Sequence, residues 1–364
     1  MKIAILGTRG IPNNHGGFEQ FAEYLSEFLV DKGHDVYVYS PHSHPYQDKL
    51  WKGVKIIHQY DPEKSLGAVG QFVYDFNCIL NIRKSKFDIV LQLGYTSSSI
   101  WGKLLPKKSI IVTNMDGLEW KRSKYSKPVQ AFLKFAESLA INTSDFLVAD
   151  SIGIQDYLWK KYDKTSKYIA YGANVFSNPE EIILKQYNVS INKYNLLIAR
   201  LEPENNIETI LDGVELNKNG TPFLVIGKNN TKYGQYLTNK FKSNNKIIFL
   251  GAIYNQNHLN NLRYYSNLYF HGHSVGGTNP SLLEAMASNA LVVANENIFN
   301  QSILNDDAFY FTNSIEVSEH LNKTKEDHLG FVTKNISKIN SQFTLSVING
   351  QYENYLKECL VNKT

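Results

Sequence analysis

The stretch GTRGIPNNHGGFEQFAEYLSEFL, Gly7 to Leu29, follows a four-residue apolar run, Ile3-Ala4-Ile5-Leu6. The run reads as a buried strand. Apolar residues at Phe18, Phe21, Ala22, Leu25, Phe28 and Leu29 recur at helical spacing. Between strand and helix lies a loop holding Gly7, Arg9, Gly10, Pro12, Gly16 and Gly17. Small residues let backbone N–H groups approach an anion, and a helix N-terminus adds partial positive charge. Starting a helix on two glycines costs helix propensity. Gly16 and Gly17 are therefore candidates to face a phosphate; the alternative is a long structural βα loop. The glycines do not form G-x-G-x-x-G, and VYVYSPHSH carries no acid at its strand end, only Ser40 and Pro41. This argues against a nicotinamide cofactor and a Rossmann oxidoreductase.

The same alternation runs outward from this stretch. VYVYS (36–40), VKIIHQY (54–60), FDIVLQLG (87–94), SIIVTNMDG (109–117) and DFLVADS (145–151) are short apolar runs separated by helical patterns such as 68–84 and 127–142. The pattern breaks over 171–192. It restarts with YNLLIAR (194–200), TPFLVIGK (221–228), KIIFLGA (246–252), NLYFHGH (267–273) and ALVVAN (290–295), with helical segments at 205–217, 232–242, 256–266 and 281–288. Such βα alternation predicts an α/β fold of parallel sheets covered on both faces. Two doubly wound Rossmann-like domains are expected, residues 1–171 and 172–343, facing a cleft. The helical segment 344–364 is a candidate to cross back to the first domain. Ligands of such sheets sit at the carboxyl ends of strands.

Composition narrows the class. The 364 residues are 43% hydrophobic and 20% charged with a formal net charge of +4, ordinary for a globular chain and too mild to mark a nucleic-acid binder. Cys78 and Cys359 lie far apart in no metal-binding spacing, which suits a reducing compartment. The apolar start is too short for a signal-peptide core, and no run approaches the roughly 18 apolar residues of a membrane span. A cytoplasmic location is expected.

A second stretch meets the strand-end criterion: FHGHSVGGTNPSLLEAMASNALVVA, Phe270 to Ala294. A strand ends at His271-Gly272-His273, a Gly-rich loop follows, and a helix begins near Ser281, with Pro280 where proline is tolerated. Backbone N–H groups of Gly277, Thr278, Asn279, Ser281 and Leu282 are candidates to hold a diphosphate. Glu284, one turn in, is a candidate to accept hydrogen bonds from ribose hydroxyls. The rest of SLLEAMA is apolar, so Glu284 lies near the core and needs a partner. The alternative is a capped structural helix.

The Glu284 segment resembles the signature of retaining GT-B glycosyltransferases of family 4: Glu, seven residues, Glu, then AMA. IARLEPENNIETIL (198–211) resembles that family's phosphate-binding element, and YIAYGAN (168–174) its entry to the nucleotide domain. GTRGIPNNHGGFEQF and NMDGLEWKRSKY (114–125) resemble a bacterial subgroup that includes rhamnosyltransferases. The resemblance covers nearly the whole chain. Two positions depart from the family. Gly276 stands where the first glutamate of the pair is usual, and Asn205 where a lysine is usual. Arg200 is the candidate diphosphate cation, since its planar fork suits phosphate oxygens. Lys228, at a strand end, is the candidate for the missing charge.

The resemblance implies a retaining enzyme that moves a sugar, on the subgroup's likeness L-rhamnose from dTDP-rhamnose, to an undecaprenyl-diphosphate-linked saccharide, a surface-polysaccharide precursor of the O-antigen or capsule type. A UDP- or GDP-hexose donor and a non-catalytic nucleotide-sugar-binding scaffold are the alternatives. Gly16 and Gly17 then face the donor diphosphate, with Arg9 contributing or bracing the loop. Asp116 is the candidate to bind the acceptor or steady the oxocarbenium-like sugar, against an Asx turn or N-cap as the alternative. Glu119 and His15 are acceptor-side candidates. His271 and His273 have no Cys or acid at ligand spacing, so neither a metal nor any other cofactor is expected. Lys103 to Lys134 carries eight Lys/Arg against two Asp/Glu, interleaved with Trp101, Trp120, Tyr125 and Phe132. That composition suits the anionic inner face of the plasma membrane or, alternatively, a solvated face.

Overall fold

The computed structural model describes residues 1–14, 16–122 and 125–363. The chain divides into two compact units. One holds Met1–Trp120, Tyr125–Ala170 and the segment from Leu345 on; the other holds Lys121, Arg122 and Tyr171–Thr344.

The first unit is an eight-stranded sheet of β1 (Lys2–Leu6), β2 (Asp35–Pro41), β3 (Leu50–Trp51), β4 (Val54–Gln59), β5 (Ile89–Leu93), β6 (Ile110–Asn114), β7 (Phe146–Ala149) and β8 (Lys167–Tyr168). The order is β3-β4-β2-β1-β5-β6-β7-β8, parallel except for the β3–β4 pair. Helices α1 (Gly17–Asp31), α2 (Glu63–Leu66), α3 (Val69–Ile82), α4 (Lys127–Thr143) and α5 (Ile152–Tyr162) connect the strands. Every residue of β5 and β6 is buried, as expected for central parallel strands with both faces covered.

The second unit is a six-stranded, all-parallel sheet of β9 (Asn195–Ile198), β10 (Phe223–Ile226), β11 (Ile247–Gly251), β12 (Leu268–His271), β13 (Val292–Asn295) and β14 (Phe309–Phe311), in the order β11-β10-β9-β12-β13-β14. Its helices are α6 (Ile207–Leu216), α7 (Lys232–Lys240), α8 (Gln256–Tyr264), α9 (Pro280–Ala287), α10 (Ile298–Leu304), α11 (Ser314–His320) and α12 (Leu329–Lys338). Alternate strand residues feed two separate cores. Leu197, Phe223, Val225 and Phe270 pack on one face. Leu196, Leu224, Ile226 and Tyr269 pack on the other. This is the period of two that a pleated strand imposes, and each fully buried Leu, Ile or Phe contributes about 1.5–3 kcal/mol.

The last helix, α13 (Leu345–Lys363), belongs to the first unit. Asn114 Nδ2 at the end of β6 donates to Tyr352 Oη (2.8 Å), Asn349 Nδ2 donates to the Tyr24 carbonyl (3.2 Å), and His34 Nε2 lies 3.0 Å from Glu353 Oε1. Three strands were not expected from the sequence: β3, β8 and β14. Each is two or three residues at or near a sheet edge, too short to display a periodicity. Among the described residues, no helix is long and apolar enough to cross a membrane.

Candidate active site

In the second sheet the strand order reverses between β9 and β12, which makes their carboxyl ends the switch point where ligands of this fold bind. The loops leaving these two strands are laced together. Asn206 Nδ2 donates to the Gly272 carbonyl (2.8 Å), and Ser274 donates to the Glu204 carbonyl from both its N–H (3.2 Å) and its hydroxyl (2.7 Å). A Cβ on Gly272 would lie 2.0 Å from the Asn205 carbonyl oxygen, so only glycine permits this approach.

Arg200 leaves the end of β9 and is exposed. Asn205, where the sequence lacks a lysine, is buried, and its side-chain amide donates to the Arg200 carbonyl (2.7 Å). It shapes the Arg200 turn and supplies no charge. Lys228 follows the adjacent strand β10. Ile198 and Ile226 are register partners, and Arg200 and Lys228 each lie two residues beyond them. Lys228 is exposed, and among the described residues it has no ion pair. A Cβ on Gly227 would meet the Ala199 carbonyl oxygen at 2.1 Å, which keeps the two loops together.

At the end of β12, His271 and His273 stack with ring centroids 4.4 Å apart. Burial holds the His271 imidazolium form well below the usual range, reinforced by His273 and Arg263. Burial, then the charges of Arg200 and Arg122, lowers His273 to about 3. Both rings are therefore neutral at pH 7 and bring no positive charge to an anion bound here. Among the described residues, no three His, Cys, Asp or Glu side chains are grouped to hold a metal.

Helix α9 begins just past this loop. Asn279 caps it: its Oδ1 accepts from the Ser281 N–H (2.9 Å) and its carbonyl from the Leu282 N–H (3.0 Å). These two N–H groups were expected to face a diphosphate; the helix's own cap occupies them, and the Leu282 side chain is buried in the core. The N–H groups of Gly277 and Asn279 have no partner within the described residues. Thr278 is buried. Glu284 has the partner that its apolar surroundings demand: its Oε2 lies 2.7 Å from Arg263 Nη2. The sequence gives no sign of Arg263, because the two residues are 21 positions apart on separate helices.

In the loop that follows β1, the glycines that the backbone demands are Gly7 (φ 90°) and Gly10 (φ 92°). A Cβ on them would lie 2.3 Å from the Leu93 carbonyl oxygen and 2.4 Å from Ser40 Oγ. Gly16 is extended, and a Cβ there would come within 3.2 Å of Glu19 Oε2. Gly17 has neither constraint; a Cβ would meet nothing within 4 Å. The loop is fastened by acids. Glu19 Oε1 accepts from the Arg9 N–H (2.7 Å), a Glu23 carboxylate oxygen accepts from the Asn13 N–H, and the Arg9 guanidinium forks onto Glu63 (3.0 and 2.6 Å). Arg9 thus braces the loop against α2.

Asp116 lies two residues past β6 with a left-handed backbone (φ 49°). The Asx turn is made by Asn114, whose Oδ1 accepts from the Asp116 N–H (2.9 Å), and not by Asp116 itself. Glu119 opens a 3₁₀ turn, Glu119–Lys121, and is partly buried. Asp116, Glu119 and Glu137 all push the buried Tyr95 phenol upward, after burial itself. His15 lies outside the described residues. Glu137, also missed in the sequence, is buried and accepts from Trp120 Nε1 (3.1 Å), Tyr157 (2.7 Å), Tyr162 (2.6 Å) and Lys161 (2.9 Å).

Two nucleotide-type sheets, each with its loops at the carboxyl strand ends, are the architecture of GT-B glycosyltransferases. Residues 180–341 match the family model described as glycosyl transferases group 1, and residues 1–174 match a domain of unknown function, DUF1972. The chain is a glycosyltransferase whose second half is a group 1 glycosyl transferase domain. Solved structures agree in fold. Sucrose-phosphate synthase from Thermosynechococcus elongatus has a TM-score of 0.81 at 15% identity, over 99% of each chain. Anabaena HepE in complex with UDP and glucose has 0.78 at 17%, over 98% of this chain and 99% of that one. The catalytic domain of starch synthase IV from Arabidopsis thaliana, bound to ADP and acarbose, has 0.74 at 12%, over 99% of each. Comparison with curated proteins gave no significant match.

Proposed function

We propose that the chain transfers a sugar from a nucleoside diphosphate donor, with L-rhamnose from dTDP-rhamnose as the preferred reading, to a lipid-linked precursor of a bacterial surface polysaccharide. The observation that carries the donor site is the switch point of the second sheet, where exposed Arg200 and Lys228 leave neighbouring strands and the charge of Arg200 reaches the neutral His273. HepE, with UDP and glucose, supports a diphosphate donor by similarity of fold. Rhamnose rests on the resemblance of GTRGIPNNHGGFEQF and NMDGLEWKRSKY to the rhamnosyltransferase subgroup.

In this reading Arg200 and Lys228 neutralise the diphosphate as the glycosidic bond breaks, with the open N–H groups of Gly277 and Asn279 beside them. No metal or other cofactor is required. Thr278 and Ser281 support that loop, and Glu284 faces the nucleoside sugar. Gly17, whose glycine the fold does not require, and Gly16 leave room for the donor, and Asp116 and Glu119 serve the acceptor. Retention follows from attack on the face that the leaving phosphate vacates, the phosphate taking the acceptor proton. Peripheral attachment to the inner membrane face is part of the proposal. Trp101 and Trp120 are tied inward by hydrogen bonds to the Phe72 carbonyl and Glu137. The surface that supports attachment is instead exposed Val129 and Phe135 with Lys127 and Lys134 on α4.

A thermal-shift series with dTDP, UDP, GDP and NAD tests the donor, since a ligand of the native state raises Tm. A dTDP-selective shift that Arg200→Ala abolishes supports the proposal. A UDP-selective shift moves the donor to a UDP-hexose, the reading that HepE favours. No shift with any diphosphate refutes the donor site.

A further inference from the structure

Arg263 on α8 is the most completely buried cation in the second unit's site, with 1% of its side chain exposed. Its Nη2 donates to Glu284 Oε2 (2.7 Å) and to Ser281 Oγ (3.2 Å), and its Nη1 to Asn260 Oδ1 (3.2 Å). The guanidinium lies 5.9 Å from the Tyr269 ring centre, and the Tyr269 hydroxyl shares a 2.8 Å hydrogen bond with Ser281. A buried guanidinium is costly unless its charge is met, so the local structure is built around the pair. Glu284 is not buried to the same degree: 23% of its side chain is open. Its Oε1 has no partner among the described residues.

We propose that Arg263 is a positioning residue that turns Glu284 into a one-oxygen reader of the nucleoside sugar, so that the site takes 2′-deoxy- and ribonucleoside diphosphates alike. This rests on the donor reading above, in which Glu284 faces that sugar. A carboxylate with both oxygens free grips a vicinal diol with two hydrogen bonds and so rewards the 2′-hydroxyl. Here Oε2 is drawn to the buried cation, and its charge-assisted bond fixes the carboxylate's rotation. Oε1 is the oxygen left without a protein donor among the described residues, and it is set against the 3′-hydroxyl, which is common to both nucleotide series. The 2′-hydroxyl then adds little affinity, which suits a deoxythymidine donor.

Calorimetric titration with three ligands sharing one base tests this: dTDP, 5-methyluridine diphosphate and 2′,3′-dideoxythymidine diphosphate. The wild type is expected to bind the first two within about threefold of each other and the dideoxy form at least tenfold more weakly. In Arg263→Gln the dTDP affinity should fall about tenfold while dideoxy binding is unchanged, and Arg263→Lys should recover part of the loss. Equal losses for dTDP and the dideoxy form would mark Arg263 as merely structural and overturn the inference. So would a wild type that prefers the ribonucleotide more than tenfold. If the Arg263 variants do not fold, Glu284→Ala serves: it should erase the difference between dTDP and its dideoxy form, and persistence of that difference overturns the inference. Wild-type protein that binds none of the three removes the donor reading and this inference together, whereas hydroxyl-independent binding removes the inference alone.

Discussion

The side-chain amide of Asn205 donates a 2.7 Å hydrogen bond to the carbonyl oxygen of Arg200, five residues earlier in the chain. The residue that replaces the family's lysine therefore acts on the backbone that aims the arginine. Restoring the lysine is expected to harm the protein. Asn205 is 4% exposed, and an ammonium there would be buried beside Arg200. Asn205→Lys should destabilise the fold by roughly 2–4 kcal/mol, read from urea midpoints. Asn205→Ala should cost about 1–2 kcal/mol. A stable Asn205→Lys protein with tighter dTDP binding would refute this account.

Arg200 and Lys228 should contribute unequally to donor binding. A planar guanidinium can fork onto two phosphate oxygens, whereas an ammonium is a point charge. Arg200→Ala is expected to weaken dTDP binding by about 30-fold and Lys228→Ala by about fivefold, equivalent to roughly 2 and 1 kcal/mol. Titration calorimetry at two salt concentrations checks both numbers. Unchanged affinity in Lys228→Ala would remove Lys228 from the site and leave Arg122, whose charge also reaches His273, as the next cation to test.

Glu137 ties three elements of the first unit together through four donors: Trp120 Nε1 before α4, and Tyr157, Lys161 and Tyr162 on or at the end of α5. Removing the carboxylate strands a lysine and three polar groups. Glu137→Ala should cost roughly 3–5 kcal/mol and Glu137→Gln less, since the amide oxygen still accepts. Chemical denaturation would expose the error if Glu137→Ala proved neutral.

The two units should answer to pH in opposite directions. Burial raises Asp75 from 3.8 to about 7, with its Ser97 hydrogen bond opposing the rise. The folded chain then binds more protons than the unfolded one between about pH 4 and 7. Stability from this group is full below pH 4, falls as pH rises through that window, and is flat above it. Asp75→Asn should stabilise the protein by a few kcal/mol at pH 8, at about 1.4 kcal/mol per pH unit, and change little at pH 4. His273 runs the other way. Its folded value, about 3, lies below the unfolded 6.5, so its contribution is present above 6.5 and is lost as pH falls. Hydrogen exchange at pH 5 and pH 8 should find the second unit loosened by acid and the first by base. Parallel behaviour of the two units would contradict both assignments.

The central strands were legible because parallel strands buried on both faces are continuous apolar runs, as in FDIVLQLG around β5. Edge strands of two or three residues carry no such signal. Glu284 was legible as a carboxylate in an apolar helix, but its partner Arg263 was not, since nothing local marks a contact across 21 residues. The opening loop was legible as a glycine loop without showing which glycine did what. Gly7 and Gly10 are fixed by positive φ and close backbone or side-chain approach, whereas Gly16 and Gly17 are not left-handed. At Leu282 nothing in the sequence shows that its N–H donates to the Asn279 carbonyl, because a cap is made by the fold of the turn.

The first unit is assembled from residues up to Ala170 together with the segment from Leu345 on. Tyr352 meets the carboxyl end of β6, Glu353 meets His34, and Lys363 reaches the Ser109 carbonyl. On a translating ribosome, the residues of the second unit emerge before these contacts can form. The second unit can therefore mature during synthesis, while the first lacks the contacts of α13 until that helix leaves the exit tunnel. Premature termination after Thr344 would release a chain whose second unit is complete and whose first is not, a natural substrate for chaperones and quality-control proteases.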